Sequence, residues 1–201
     1  FQGAQHARQG GFHTRGEDHH ARVLIDLEDA WQGATSQITL QLPEVDAQGR
    51  VHTRERVLKV RIPAGIRQGQ HIRLAGQGAT GQGPGPAGDL YLEIEFRPHP
   101  FYRVDDRDLY LELPVAPWEA ALGATAKVPT PGGTVDLKIP AGSGSGRKLR
   151  LKGRGIPGQP PGDLFVDLKI ALPAADNAAA QALYRKMQQE LDFNPRAHLG
   201  V

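Results

Sequence analysis

The sequence predicts a mainly β protein, built from two tandem homologous β-sandwich-like modules followed by a C-terminal amphipathic helix. Three observations predict it. A block of motifs occurs twice in register, the apolar residues within each copy recur with the period of two of a half-buried strand, and a segment near the end switches to helical spacing.

Residues 1–20 are mostly Gly, Gln, His and Arg with almost no aliphatic side chain, too little apolar surface to offset the entropy of ordering. They are expected to form a flexible linker, and Phe1-Gln2-Gly3 fits a tag remnant or the tail of a Gly/Phe-rich linker. The chain is therefore expected to begin mid-protein. From Val23, the alternation of Val23, Ile25 and Leu27 with Leu24 and Asp26 predicts a strand, Glu28 to Gly33 a short helical turn ended by glycine, and Ile38, Leu40 and Leu42 a second strand. Pro43 to Thr53 reads as a hairpin loop and Arg56 to Ile62 as the returning strand.

Repetition carries the most weight. Leu58-Lys-Val-Arg-Ile-Pro-Ala-Gly65 returns as Val135-Asp-Leu-Lys-Ile-Pro-Ala-Gly142, and Ile72-Arg-Leu-Ala-Gly-Gln-Gly78 as Leu149-Arg-Leu-Lys-Gly-Arg-Gly155, both at an offset of 77. Gly33-Ala-Thr35 returns at Gly123-Ala-Thr125, an offset of 90, and Gly88-Asp-Leu90 at Gly162-Asp-Leu164, an offset of 74. The first copy thus holds an insertion in the Pro43 to Glu55 hairpin and a smaller one in Gly81 to Ala87. The expected modules are residues 21–98 and 99–173, with a helix and tail over 174–201. Within that tail Ala174 to Asp192 lacks Gly and Pro and spaces Leu183, Met187 and Leu191 four apart. Asp176 or Asn177 is positioned to cap this helix and Asn194-Pro195 to end it.

Composition narrows function. Of 201 residues, 39% are hydrophobic and 6% aromatic, so each core is thin; Gly (25) and Pro (16) exceed the usual combined share of roughly 12% and fall between apolar runs, as turns do. With no cysteine, disulfide scaffolds and thiolate zinc sites are excluded. No stretch approaches the roughly 18 apolar residues of a membrane helix. The net charge of +2 does not by itself announce a nucleic-acid binder.

Individual motifs have plain explanations. Gly76-Gln-Gly78-Ala-Thr-Gly81 and Gly153-Arg-Gly155-Ile-Pro-Gly158 match G-x-G-x-x-G, but neither opens a helix, which a pyrophosphate site requires, so both read as loops. The histidines of the first twenty residues lack the spacing that converges two imidazoles on one ion, so no metal and no cofactor is expected; His99 reads as a module-junction residue. No nucleophile elbow or paired base is present, and the chain is not expected to be an enzyme. Lys148, Arg150 and Lys152 alternate on one strand face as a compact positive stripe, of a kind that either contacts phosphate or is simply solvated.

The duplicated Ile-Pro-Ala-Gly, Gly-x-Gly and Gly-Asp-Leu blocks, His99-Pro100-Phe101-Tyr102, the segment Pro117 to Thr130 and the final helix together resemble the C-terminal region of DnaJ-type co-chaperones, over nearly the whole chain. Lack of cysteine places the resemblance in the branch without a zinc-binding insert, and Phe193-Asn-Pro-Arg196 and Gln5 to Gln9 resemble its curved-DNA-binding members. The resemblance implies two substrate-binding modules, a dimerisation helix acting through Leu183, Tyr184, Met187 and Leu191, and a J domain, of which no His-Pro-Asp triplet is found here. It also implies a groove for unfolded polypeptide on the first module lined by Ala21, Val23, Ile38, Leu40 and Leu92, with Ala21 smaller than the aliphatic residue usual there. The implied partners are unfolded clients, a DnaK-type chaperone and a second copy, in the cytoplasm. DNA is the alternative partner, through Lys148, Arg150 and Lys152 aided by Arg8, Arg15 and Arg22, with nucleoid association.

Overall fold

The computed structural model describes residues 14–45, 50–81 and 85–200. In the first module β1 (His19–Ile25), α1 (Leu27–Gln32), β2 (Ala34–Val45), β3 (Val51–Ile62), β4 (His71–Leu74) and β5 (Leu90–Phe96) follow in order. The second repeats this order as β7 (Asp108–Val115), α2 (Pro117–Leu122), β8 (Ala124–Thr130), β9 (Gly133–Ile139), β10 (Lys148–Leu151) and β11 (Leu164–Ile170), preceded by a short β6 (Tyr102–Asp105). Helix α3 (Ala178–Glu190) closes the chain with a 3₁₀ turn at Ala197–Leu199. The mainly β, two-module reading therefore holds.

Each module packs a sheet against a two-stranded ribbon. Sheet β1-β5-β4, with β1 parallel to β5, faces ribbon β2-β3; sheet β10-β11-β7-β6 faces ribbon β8-β9. Alternation buries Val23, Ile25, Leu90, Leu92 and Ile94 against Leu40, Val60 and Ile62 in the first core, and Leu109, Leu111, Leu164, Val166 and Leu168 against Val128, Leu137 and Ile139 in the second. Leu27, expected to continue the first strand, instead starts α1 and joins the second module's core, with Trp31 and Phe96 packed alongside. The joint is tied further by polar contacts. His99 Nε2 lies 3.1 Å from Glu28 while its Nδ1 accepts from the amides of Phe101 and Tyr102, and Arg107 donates to the carbonyls of Gly65 and Pro157.

Three boundaries differ from expectation. The hairpin loop is shorter than Pro43 to Thr53, because β2 and β3 stay paired out to Val45 and Val51, and the Asp46-Ala-Gln-Gly49 turn lies outside the described residues. Linker residues 1–13 also lie outside them. Residues 14–20, by contrast, are tied to the first module: Arg15 bonds Asp18 and Asp89, Gly16 N donates to Pro86 O, and β1 begins at His19. Their polar composition, which reads as unable to order, is used in hydrogen bonds rather than burial. Third, Ala174 to Asp176 stay outside the helix: α3 begins at Ala178 behind Asn177, one of the two expected caps, whose Oδ1 accepts from Ala180 N at 2.9 Å.

The two G-x-G segments form one structural lock built twice. Gly76 and Gly153 have φ of 68° and 69°, which suits glycine, and donate to one carboxylate oxygen of Asp89 (2.8 Å) and Asp163 (2.7 Å). Arg73 and Arg150 take the other oxygen at 2.8 and 2.7 Å, and the amides of the same aspartates donate to Asp18 and Asp108 at 2.7 Å. Both carboxyls are thereby held below their ordinary 3.8, first by the glycine amide and then by the arginine, against the opposing effect of burial. A carboxyl depressed in the folded state stabilises it above the unfolded value, and that contribution is lost as pH falls through the folded value. The melting temperature of the chain is accordingly expected to fall below about pH 4. Asp163→Asn should lower it by several degrees at pH 7 and flatten that acid limb, checked by thermal denaturation from pH 3 to 7.

Candidate functional site

The open edge of β1 and the outer edge of β2 face one another across a cleft of about 430 Å³, walled by Arg22 to Asp26 on one side and Ser36 to Leu40 on the other. Among the described residues no strand pairs with either edge along this cleft. Most of its exposed lining is polar, and Val23, Ile38 and Leu40 supply the apolar part. Val23 and Leu40 belong to the core, Ile38 and Ala21 pack half-buried against it, and Leu24 stands 52% exposed beside it. The Arg97–Asp26 ion pair (2.9 Å) adjoins the cleft, to which Arg97 also contributes. Three of the five sequence-predicted lining residues, Val23, Ile38 and Leu40, thus line the cleft, whereas Ala21 lines a separate hollow beside His71, Tyr91 and Glu93. Leu92 does not line it: on the central strand β5 it is fully buried and supports the floor from below.

Backbone polarity decides what such a cleft can bind. His19 N donates to Asp89 O (2.8 Å) and Ile25 O accepts from Arg97 N (2.9 Å), so the odd-numbered residues of β1 turn their backbone toward β5. Arg22 and Leu24 therefore present theirs to the cleft. In the second module Leu109 N and Val115 O make the equivalent bonds, to Asp163 O and from Ala171 N, which directs residue 114 outward; that residue is Pro114, at the position of Leu24. On β8, Thr130 and Gly133 flank a two-residue turn and face each other, so Pro129 turns its backbone away from β9; Pro129 occupies the position of Thr39. Proline has no N–H to offer an incoming strand and is a common way to blunt a sheet edge. The first module keeps a donor at both positions, and the second lacks both. Leu24, Thr39 and Arg97 are not among the residues expected from sequence, although the prolines in the second copy were a visible signal for two of them.

The basic stripe is less free than its composition implies. Lys148 and Arg150 do share the exposed face of β10, but Arg150 is held by Asp163 and Lys148 lies 4.0 Å from Asp167. Lys152 follows the strand in a turn and makes no ion pair among the described residues. Arg150 instead opens a cross-strand row through Phe165, Tyr110 and Arg103, in which the two rings stack at 5.2 Å and Arg103 covers Tyr110 at 4.0 Å. Of the accessory arginines, Arg15 is engaged by Asp18 and Asp89, Arg22 by Glu93 and Glu95, and Arg8 lies outside the described residues.

Helix α3 buries none of its residues. Leu183, Met187 and Leu191 form an exposed apolar stripe, 49–70% accessible, continued by Phe193. Tyr184 is turned the other way, half-buried, its hydroxyl donating to Pro173 O at 2.7 Å, so it anchors the helix to its own approach segment. No group of three metal-ligating side chains converges among the described residues, and no helix among them is long and apolar enough to cross a membrane.

The model of the family described as DnaJ C terminal domain matches residues 19–173. Curved DNA-binding proteins are among the similar proteins: that of Coxiella burnetii RSA 493 is 52% identical over 189 residues, 94% of this chain and 60% of the relative. That of Pseudomonas putida KT2440 is 42% identical over 200 residues, 98% of this chain and 62% of the relative. That of Pseudomonas syringae pv. tomato DC3000 is 40% identical over 186 residues, 91% and 59% respectively. The chain spans about three fifths of the length of these relatives.

Proposed function

The chain belongs to the DnaJ C-terminal domain family, and on that premise we propose that its first module captures extended apolar segments of non-native polypeptides, for presentation to a DnaK-type chaperone. The segment lies in the β1/β2 cleft as an added strand. Backbone pairing to Leu24 and Thr39 accepts any sequence, while the floor of Val23, Ile38 and Leu40 selects apolar side chains at alternate positions. The observation that carries this reading is the pair of facing, donor-bearing strand edges, in a molecule whose second copy replaces both donors with proline. Helix α3 joins two chains through Leu183, Met187 and Leu191, with Tyr184 fixing the angle of the helix, so that one dimer offers two clefts. Binding rather than catalysis is the role, in the cytoplasm.

The name of the relatives supports a second reading, contact with DNA in a nucleoid setting. Lys148 and Lys152 are its most available cations, whereas Arg150 is committed to Asp163. Titrating the chain with a fluorescent unfolded peptide and with duplex DNA at 50 and 200 mM salt separates the two. Peptide affinity is expected to change less than twofold. DNA binding through two phosphate contacts would fall roughly 12-fold over that range. A peptide affinity that collapses with salt would overturn the cleft reading.

A further inference from the structure

Strand β4 forms the edge of the first sheet opposite β1, and no strand pairs with its outer side among the described residues. A hollow of about 590 Å³ lies between it, the end of β3 and the Pro63-Ala-Gly-Ile66 turn, and Arg107 of the second module completes its lining. That lining holds two arginines, a histidine and a glutamine, and no carboxylate. Local structure leaves each donor free. Gly69, at φ 78°, and Gln70 form a bulge in which Gly69 N donates to Ile94 O and Gln70 O accepts from Ile94 N. The next residue, His71, therefore turns its backbone N–H away from β5, toward the hollow. Gln70 Oε1 accepts from Arg67 N at 2.8 Å, which leaves Nε2 as the free end of that amide. Arg107 spends only Nη1, on the carbonyls of Gly65 and Pro157, so its guanidinium is fixed while Nε and Nη2 make no hydrogen bond among the described residues. Arg61, exposed between the buried Val60 and Ile62, makes no ion pair among them.

Neighbouring acids are engaged elsewhere. Glu93, the cross-strand partner of His71, is bonded to Arg22 at 3.2 Å, and Asp106 to Arg67 at 2.7 Å. In the second module the equivalent of Glu93 is Asp167, which instead lies 4.0 Å from Lys148, at the position of His71. The rest of the lining is largely apolar, with Pro63, Ile72 and the buried Ile66. We propose that this hollow binds a small organic anion, its phosphate or carboxylate held by Arg61, Arg107 and the His71 amide, and its apolar body lying against Ile66 and Ile72. The volume is that of an ordinary ligand site. Guanidinium groups recognise either oxyanion through the same forked hydrogen bonds, and fixing one of them in advance lowers the entropy cost of binding. Arg61 belongs to the first module and Arg107 to the second, so a bound anion ties the two together at their joint.

The test is a titration of the full chain, its backbone amides followed by NMR at constant ionic strength, with phenyl phosphate, phenylacetate and inorganic phosphate. Saturable shifts centred on Gln70 and His71 are expected below about 20 mM, and inorganic phosphate is expected to bind more weakly than phenyl phosphate because it lacks the apolar body. The tighter of the two aromatic anions identifies the head group. Arg61→Gln is expected to weaken phenyl phosphate binding roughly tenfold or more and Arg61→Lys by less, with the fold intact because the side chain is exposed. Phosphate also stabilises proteins by exclusion from their surfaces, so a rise in melting temperature supports the site only where Arg61→Gln removes it. Shifts that fail to saturate, that persist undiminished in Arg61→Gln, or that centre instead on Lys148 and Lys152 would overturn the proposal. So would duplex DNA that shifts the Gln70 and His71 amides where phenyl phosphate does not, since the hollow would then be a backbone contact for DNA.

Discussion

Replacing Leu24 and Thr39 together by proline is expected to abolish the proposed suppression of client aggregation, while the melting temperature stays within a few degrees of the original. Both halves of this expectation come from the second copy. Strands β7 and β8 form with Pro114 and Pro129 at the equivalent positions, so the backbone there accepts proline's φ and spends no ladder hydrogen bond on it. What is lost is the donor. Each removal leaves a carbonyl of the bound strand unpaired in a partly dry cleft, a cost of about 1–3 kcal/mol, so the pair weakens client affinity by roughly 30-fold to 10⁴-fold. The converse change, Pro114→Leu with Pro129→Thr, is expected to raise the number of peptides bound per chain from one to two in calorimetry. Aggregation suppression that survives both prolines would show that clients bind elsewhere. Ile38→Asp is a poorer probe, since Ile38 packs against the first core and a carboxylate there would disturb folding as well as binding.

Leu183→Asp is expected to convert the proposed dimer to a monomer, the second large effect. The side chain is 70% exposed in the single chain, so the substitution leaves the fold intact and places a charge in the apolar contact between chains. Linking two clefts makes the second binding event intramolecular, which raises avidity for a long client by about 10²–10⁴ over either site alone. The monomer is therefore expected to bind a short single-site peptide with unchanged affinity and a long unfolded chain at least roughly 100-fold more weakly. Light scattering checks the first outcome and paired titrations the second. Equal losses for the short and long ligands would separate α3 from avidity.

Much of the fold was legible because it was written twice. The Ile-Pro-Ala-Gly turn, the Gly-Asp-Leu block and the alternation of Leu90, Leu92 and Ile94 recur in the second copy, and local chemistry alone accounts for them. The lock formed by Asp89 with Gly76, Arg73 and Asp18 was not legible. Its members lie up to 71 residues apart and make sense only once β4, β5 and the start of β1 are adjacent. The neutralisation of Arg150 by Asp163, only 13 residues away, was hidden by strand pairing rather than by distance. A strand pattern shows which side chains share a face but not which acid the neighbouring strand brings opposite them.

Periodicity and turn chemistry act over a few residues, and they suffice for the mainly β character, the duplication and the terminal helix; the expectation of Val23, Ile38 and Leu40 at the cleft came from the family resemblance instead. That Leu92 is core, that Tyr184 is bound to Pro173 and that Leu27 serves the other module emerges only when distant segments pack together. So does the choice of which strand edges are left open. Edge exposure is a property of sheet order, in which β1 and β2 end up facing a gap, and no side-chain pattern along either strand encodes that adjacency.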